Sequence, residues 1–244
     1  MIIDYRSKST ISTINDWFKY CPPKEGKRQW IPYRSAQELA KYWTNLDKQN
    51  GFMKFLEAYD INTSEYTCYP EYETTFDDNG NGRKNDLIVI PKSDEFLLTI
   101  EAKADEGFGN KLFIDELENS IKVKKEKTDS NKLDRLMRLY SDYFCYNQSV
   151  LNVPYQLTYW FAGSIAEALR RKIKVVILIV QEFRSNSLNE KKLILNKRHL
   201  DLFASIITKT TITEINENQI HGPIENEYTK GIRLYIGKKV ELLT

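Results

Sequence analysis

The sequence predicts a mixed α/β fold, a sheet flanked by helices. Three observations carry that expectation. "KVVILIVQEF" at 174–183 is a continuous apolar run, as a strand buried on both faces requires. "DLIVI" at 86–90 and "FLLTIEAK" at 96–103 are apolar runs joined by "PKSDE", which reads as a tight hairpin. Around them lie segments whose apolar residues recur with the 3.6-residue helical period.

The elements follow in order. Residues 1–34 read as an irregular N-terminal segment with a short helix near 12–20; it holds Trp17, Phe18, Trp30 and "CPP". "SAQELAKYWTNL" at 35–46 is a helix, with Ala36, Leu39, Ala40 and Trp43 on one stripe. Ser35 and Glu38 have the spacing of a capping box. A second helix is expected over 51–59. "EYTCYPEYETTF" at 65–76 alternates like a strand, and Pro70 marks a bulge or an edge. "DDNGNGRKN" at 77–85 is a loop. After the hairpin, 111–146 reads as helical with a polar break at "KVKKEKTDSNK". "VPYQLTYWFAGSIAEALR" at 153–170 is an amphipathic helix with Leu157, Trp160, Phe161, Ile165, Ala168 and Leu169 as its stripe. Residues 197–207 look helical, and "GIRLYIGKKVEL" closes the chain with a strand or hairpin.

Composition narrows the chemistry. The chain has 244 residues, 41% hydrophobic and 29% charged, so a core of good size is expected. No apolar stretch approaches the ~20 residues of a membrane-crossing helix. "MIIDYRSKST" has no apolar signal region, and the cytoplasm is the expected location. Three scattered cysteines and two histidines leave little for a disulfide framework or a zinc site. Net charge is only +2, but residues 61–120 hold 14 acids against 5 bases, and 121–200 hold 16 bases against 7 acids. An acidic centre beside a basic flank suits a metal next to a polyanion; solvated surface charge is the plainer account.

The hairpin places charge with unusual economy. Folding it about Ser93 and Asp94 sets Asp86 opposite Ile100 or Glu101. Side chains alternate along a strand, so Glu101 and Lys103 share a face with Leu97 and Thr99, while Phe96, Leu98, Ile100 and Ala102 share the other. Directly opposed cross-strand residues have Cβ atoms ~5 Å apart. Two carboxylates that close repel unless a cation or proton lies between them. Oxygen ligands suit Mg²⁺. A lysine two residues on could orient the attacking water or help deprotonate it. These are the parts that phosphodiester hydrolysis needs.

Asp86 and "EAK" at 101–103 resemble the PD-(D/E)XK nuclease superfamily, the restriction-endonuclease-like fold. Asp86 is similar to the aspartate that begins the second core strand, and Glu101-Ala102-Lys103 to the tripeptide that ends the third. The resemblance implies that Asp86, Glu101 and the main-chain carbonyl of Ala102 bind Mg²⁺ or Mn²⁺, and that Lys103 serves the water. It implies a core of helix, three antiparallel strands, helix and parallel strand (αβββαβ), laid on residues 35–183. Residues 111–152 would be a helical insertion, and 184–244 a C-terminal extension packed on the same domain. Asn85 stands where the family often has proline. "QLTYW" at 156–160 is similar to a Q-x-x-x-Y element of some branches, with Trp160 in the tyrosine position and Tyr159 adjacent. "EAKADEGFG" also resembles an uncharacterised bacterial branch, which implies no substrate.

The tripeptide spacing occurs three times, at Glu25–Lys27, Glu101–Lys103 and Glu190–Lys192. Only the middle one ends an apolar strand with an aspartate across a hairpin. The bland account of Asp86, Glu101 and Lys103 is a salt-bridged strand end. Glu38 is a candidate metal-assisting glutamate, although helix capping accounts for it. Glu71 and Glu73 are candidate further ligands, with Glu73 kept beside Gln156 and Tyr159 as an additional site residue; Trp160 is core. Lys111, Lys122, Lys124, Lys125 and Lys127 could track phosphates, against a solvated helix end. A calcium loop over 77–86 is rejected, because Asp78, Gly80 and Gly82 do not align with the required positions together. His199 and His221 are surface or structural.

Two functions remain. One is a Mg²⁺-dependent endonuclease, with DNA as the expected partner, in restriction, defence or repair; a homodimer is left open. The other is a nuclease-like fold that binds nucleic acid or protein without turnover. Substitution of Asp86 or Lys103 by alanine is expected to leave the fold intact, since both sit at strand ends.

Overall fold

Six strands form one mixed sheet in the order β1-β2-β3-β4-β6-β5. They are β1 (Tyr66–Thr74), β2 (Arg83–Pro91), β3 (Leu97–Lys103), β4 (Val175–Arg184), β5 (Gln219–Ile224) and β6 (Arg233–Leu242). The computed structural model describes residues 1–63, 65–77, 82–185, 190–210 and 214–243. β1, β2 and β3 are antiparallel neighbours; β3, β4 and β6 run parallel; β5 returns antiparallel to β6. The chain is therefore a mixed α/β protein. Its order of helix, three antiparallel strands, helix and parallel strand is the one the sequence leads one to expect.

Seven α-helices among the described residues cover the two faces: α1 (Ile14–Tyr20), α2 (Ser35–Trp43), α3 (Leu46–Glu57), α4 (Phe113–Glu126), α5 (Lys132–Phe144), α6 (Tyr155–Arg171) and α7 (Glu190–Thr208). Strand alternation sorts the core into two layers. Ile88, Ile90, Leu97, Leu178 and Ile236 pack toward α4, α5, α6 and α7. Leu87, Val89, Leu98, Ile100 and Ile179 pack toward α1, α2 and α3. β4 is buried from Val176 to Phe183, which accounts for its unbroken apolar run.

Several expectations are corrected. Ser35 does not cap α2; the cap position is Arg34, with no side-chain cap. Glu38 instead accepts hydrogen bonds from Tyr33 N (2.9 Å) and Lys41 Nζ (2.7 Å). The helix expected over 51–59 begins at Leu46, because the Asn45 side chain accepts from Lys48 N. The polar break after 121 is shorter than its composition implies: α4 runs on to Glu126. α6 is more deeply buried than its single apolar stripe implies. Leu157 to Ala168 are all buried, whereas Leu169 is exposed, so this helix is roofed by α5 and α7 as well as seated on the sheet. β5 has no strand pattern in the sequence; with Gly222 and Pro223 inside it, it is an edge strand that only β6 pairs. Asp78 and Gly80 of the loop after β1 lie outside the described residues. Among the described residues no helix is long and apolar enough to cross a membrane, and the three cysteines are free.

α6 approaches β1 closely. A Cβ built on Gly163 would lie 2.5 Å from Thr74 Oγ1 and 3.3 Å from Thr74 Cβ. Gly163→Ala should therefore cost about 1–3 kcal/mol in urea unfolding, and adding Thr74→Ala should recover part of that loss. An unchanged midpoint in the single variant would show that α6 can withdraw from the sheet.

Candidate active site

The β2–β3 register settles what faces Asp86. Leu87 pairs with Ile100, Ile88 with Thr99 and Val89 with Leu98, so the next position sets Asp86 against Glu101. The ladder stops there. The carboxylate of Asp86 takes its place, accepting the Ala102 amide at 2.7 Å through Oδ2. Glu101 and Lys103 are 2% and 4% exposed, and Asp86 is half-buried. Lys103 Nζ donates to Glu101 Oε1 at 2.7 Å, and Gln156 Nε2 of α6 donates to the same oxygen. α6 is pinned on this side a second time, by the Thr99–Ser164 hydroxyl pair at 3.0 Å.

Asp86 opens into a cleft of about 890 Å³, whose walls include Arg34, Glu71, Glu106, Arg135 and Tyr159. Glu101 and Lys103 do not line this cleft. Tyr159 stands in the wall with its hydroxyl 3.3 Å from Arg135 Nη2, turned to that guanidinium. Glu73 is elsewhere: it accepts from Gly82 N at 2.8 Å and reaches Arg6 at 3.5 Å. Glu38 faces Tyr33 and Lys41, away from this cleft. Of the lysines on α4 and its flanks, Lys111 pairs with Glu116 and Lys124 with Asp134, and none of the five lines the cleft.

Three residues have roles here that the sequence conceals. Glu71 would be the register partner of Asp86 on β1, but the ladder skips this pair, and Glu71 has a left-handed backbone, φ +51°. A third carboxylate thereby joins the site, held by Lys84 at 3.2 Å. Asn85 supports that kink, since its amide donates to Tyr72 O (3.1 Å) and Thr74 Oγ1 (3.0 Å). Proline at this position would lack both bonds. Glu106, three residues past the tripeptide, is the fourth acid; its Oε2 is buried with no hydrogen-bond partner.

Burial pushes the Asp86 carboxyl well above the usual range, and the neighbouring charges of Glu101 and Glu71 push the same way, against Lys103 and the Ala102 amide. Burial likewise raises Glu71, with Lys84 opposing and Glu101 adding. It raises Glu106 too, with Lys103 and a hydrogen bond from Ser35 opposing. For Lys103 burial acts downward, but Glu101 and Asp86 outweigh it and hold the ammonium firmly charged. These carboxylates outnumber the cations among them, the condition under which a hard cation is taken up. No group of three or more His, Cys, Asp or Glu among the described residues is arranged as a ready metal cage. The resemblance seen in the sequence would place the ion on Asp86, Glu101 and the Ala102 carbonyl. That suits Mg²⁺, which keeps several waters and shares its shell with substrate oxygens.

The chain matches the family described as Domain of unknown function (DUF6946) over residues 10–241. No curated protein and no solved structure matches it.

Burial of Lys103 corrects the expectation that its removal leaves the fold intact. Lys103→Ala strands Glu101 and Asp86 and should cost about 3 kcal/mol or more at neutral pH. Asp86→Asn should do the reverse. Between its ordinary value of 3.8 and its raised one, folded Asp86 holds a proton that the unfolded chain releases, so its contribution to stability falls as pH rises through that window. Without metal, the asparagine variant should gain about 1 kcal/mol above the window and nothing below it. Thermal melts from about pH 3 to about pH 9 check both signs. Equal destabilisation by the two substitutions would mean that the carboxylates do not repel.

Proposed function

We propose that this chain, a member of the DUF6946 family, is a metal-dependent nuclease that hydrolyses phosphodiester bonds, with DNA as its substrate. The observation that carries the reading is that Asp86 comes opposite Glu101 just past the end of the β2–β3 ladder, with Lys103 2.7 Å from Glu101 and Asp86 open to the cleft. The (D/E)XK-like placement seen in the sequence is thus joined to charge repulsion that a divalent cation would relieve.

Asp86, Glu101 and the Ala102 carbonyl would hold Mg²⁺ or Mn²⁺. A bound divalent ion supplies a Lewis acid for the phosphate oxygens and lowers the pKa of the attacking water. The other parts belong to the chain. Lys103 remains an ammonium because Glu101 and Asp86 hold its proton, so it supports the reading as a fixed positive charge beside the carboxylates that would hold the ion. In that state it is no base. Gln156 fixes the rotamer of Glu101 through Oε1 and leaves Oε2 for the ion.

A nuclease-like fold that binds without turnover draws on one feature. Glu101 Oε1 already has two donors, as a structural ion pair would.

Assays on plasmid, linear duplex, single-stranded DNA and RNA with Mg²⁺ or Mn²⁺ decide between the readings. Lys103→Gln keeps a donor for Glu101 and should lose cleavage by roughly a hundredfold or more while retaining metal binding. Asp86→Asn should lose cleavage and metal binding together. Metal affinity should rise with pH, because Asp86 must give up its proton to the solvent first; calorimetry in two buffers of different ionisation heat counts that proton. A wild-type protein that binds Mn²⁺ but cuts no substrate favours the binding module. A Lys103→Gln protein that cuts at the wild-type rate removes the site from these residues.

A further inference from the structure

We infer that the irregular segment at 22–34 is a phosphate-gripping wall, which, with Arg83 on β2, holds a nucleic-acid strand that runs on past the scissile bond. This rests on the nuclease reading and adds the part of the molecule that selects a polymer over a single nucleotide.

The wall is built from "PPKEGKRQWIPYR", ahead of the stretch at 35–183 on which the nuclease core is laid. Residues Gly26–Arg28 form one 3-10 turn. Two anchors seat the segment beside the site. Arg34 Nη1 meets Asp105 Oδ1 at 2.9 Å, which ties the segment to the loop that leaves β3. Trp30 packs against Phe18 of α1 in a tilted pair, ring centroids 5.1 Å apart. So placed, Lys24, Arg28 and Arg34 line the same cleft as Asp86.

The bases of the cleft divide into two classes. Arg34, Lys84 and Arg135 have carboxylate partners, in Asp105, Glu71 and Asp77. Lys24, Arg28 and Arg83 make no ion pair among the described residues, and Lys24 and Arg28 are exposed. Paired bases hold the walls together. Unpaired ones, set around a floor of carboxylates, are left for an anion from outside. That anion is extended. A strand rises about 3.3 Å per residue, so Arg83 stands about 10 Å along β2 from Asp86, or roughly three nucleotide steps of a duplex. A base set that far along the strand is placed to meet the backbone of a polymer that continues beyond the phosphate at Asp86. Phosphate contacts of this kind position the strand without reading its sequence.

The test measures binding of labelled single-stranded and duplex DNA, short and long, against salt concentration in EDTA, where nothing is cut. Wild-type protein is compared with Lys24→Ala/Arg28→Ala, with Arg83→Ala, and with Lys125→Ala/Lys127→Ala, which removes charge outside the cleft. The slope of log K against log salt should become shallower by about 2 in the wall variant and about 1 in Arg83→Ala. The Lys125/Lys127 variant should keep the wild-type slope. The gain in affinity from short to long strands should shrink only in the first two. Melting curves should match wild type. If the wall variant melts early, Lys24→Arg/Arg28→Lys, which keeps both charges, should restore the slope. A wild type that binds and cuts DNA while the wall variant keeps its slope overturns the wall and leaves the nuclease reading standing. A wild type that neither binds nor cuts any nucleic acid overturns both.

Discussion

Two carboxylates, Asp86 and Glu101, point to one face from neighbouring strands, and the single ammonium of Lys103 neutralises only part of their charge. Like charges so placed and largely out of water push the strand ends apart. Much of the local architecture opposes that push. The β2–β3 ladder gives way where the carboxylates meet, and Asp86 binds the Ala102 amide in its stead. Gln156 and Ser164 of α6 clamp β3 from above. Gly163 lets the same helix sit hard on β1. The helix can clamp because it is buried from Leu157 to Ala168, well beyond the single stripe its sequence pattern implied.

The kink at Glu71 belongs to the same scheme. A left-handed backbone at a non-glycine residue in a strand is strained. It persists because Asn85 occupies the carbonyl of Tyr72 and the hydroxyl of Thr74, and Lys84 holds the carboxylate. Strain is kept in place by its neighbours and brings a further negative group to the cleft. The site is therefore arranged at the expense of stability, a pattern more common where residues meet ligands than where they only hold a fold.

The sequence displayed the parts of this arrangement that depend on period and order. The hairpin about Ser93 and Asp94, the two faces of β3 and the burial of β4 follow from alternation and apolar runs alone. Asp86 and Glu101 could be brought together because a short hairpin leaves their register little freedom. Glu71 was no more visible than Glu73, since regular alternation puts both on one face and only the observed φ of +51° separates them. Asn85 looked like a tolerated stand-in for proline, because side-chain bonds across two strands carry no local pattern. β5 escaped for want of any apolar period. Likewise, a list of lysines and arginines does not disclose which of them have partners; that depends on acids distant in the chain, as with Arg34 and Asp105.

The order of the sheet has one more consequence. β6 follows every other described element in the chain, yet it lies between β4 and β5. While the chain is being made, the strand that carries the weight of the core is complete at Arg184 with one side open, and it stays open until β6 emerges. The backbone N–H and C=O groups along that edge of β4 stay unpaired for that interval, and an open strand edge is a template for wrong partners. Synthesis thereby puts the hairpin that bears the two carboxylates ahead of the sheet that backs it: β2 and β3 can pair early, and the sheet is extended past β4 only when β6 arrives.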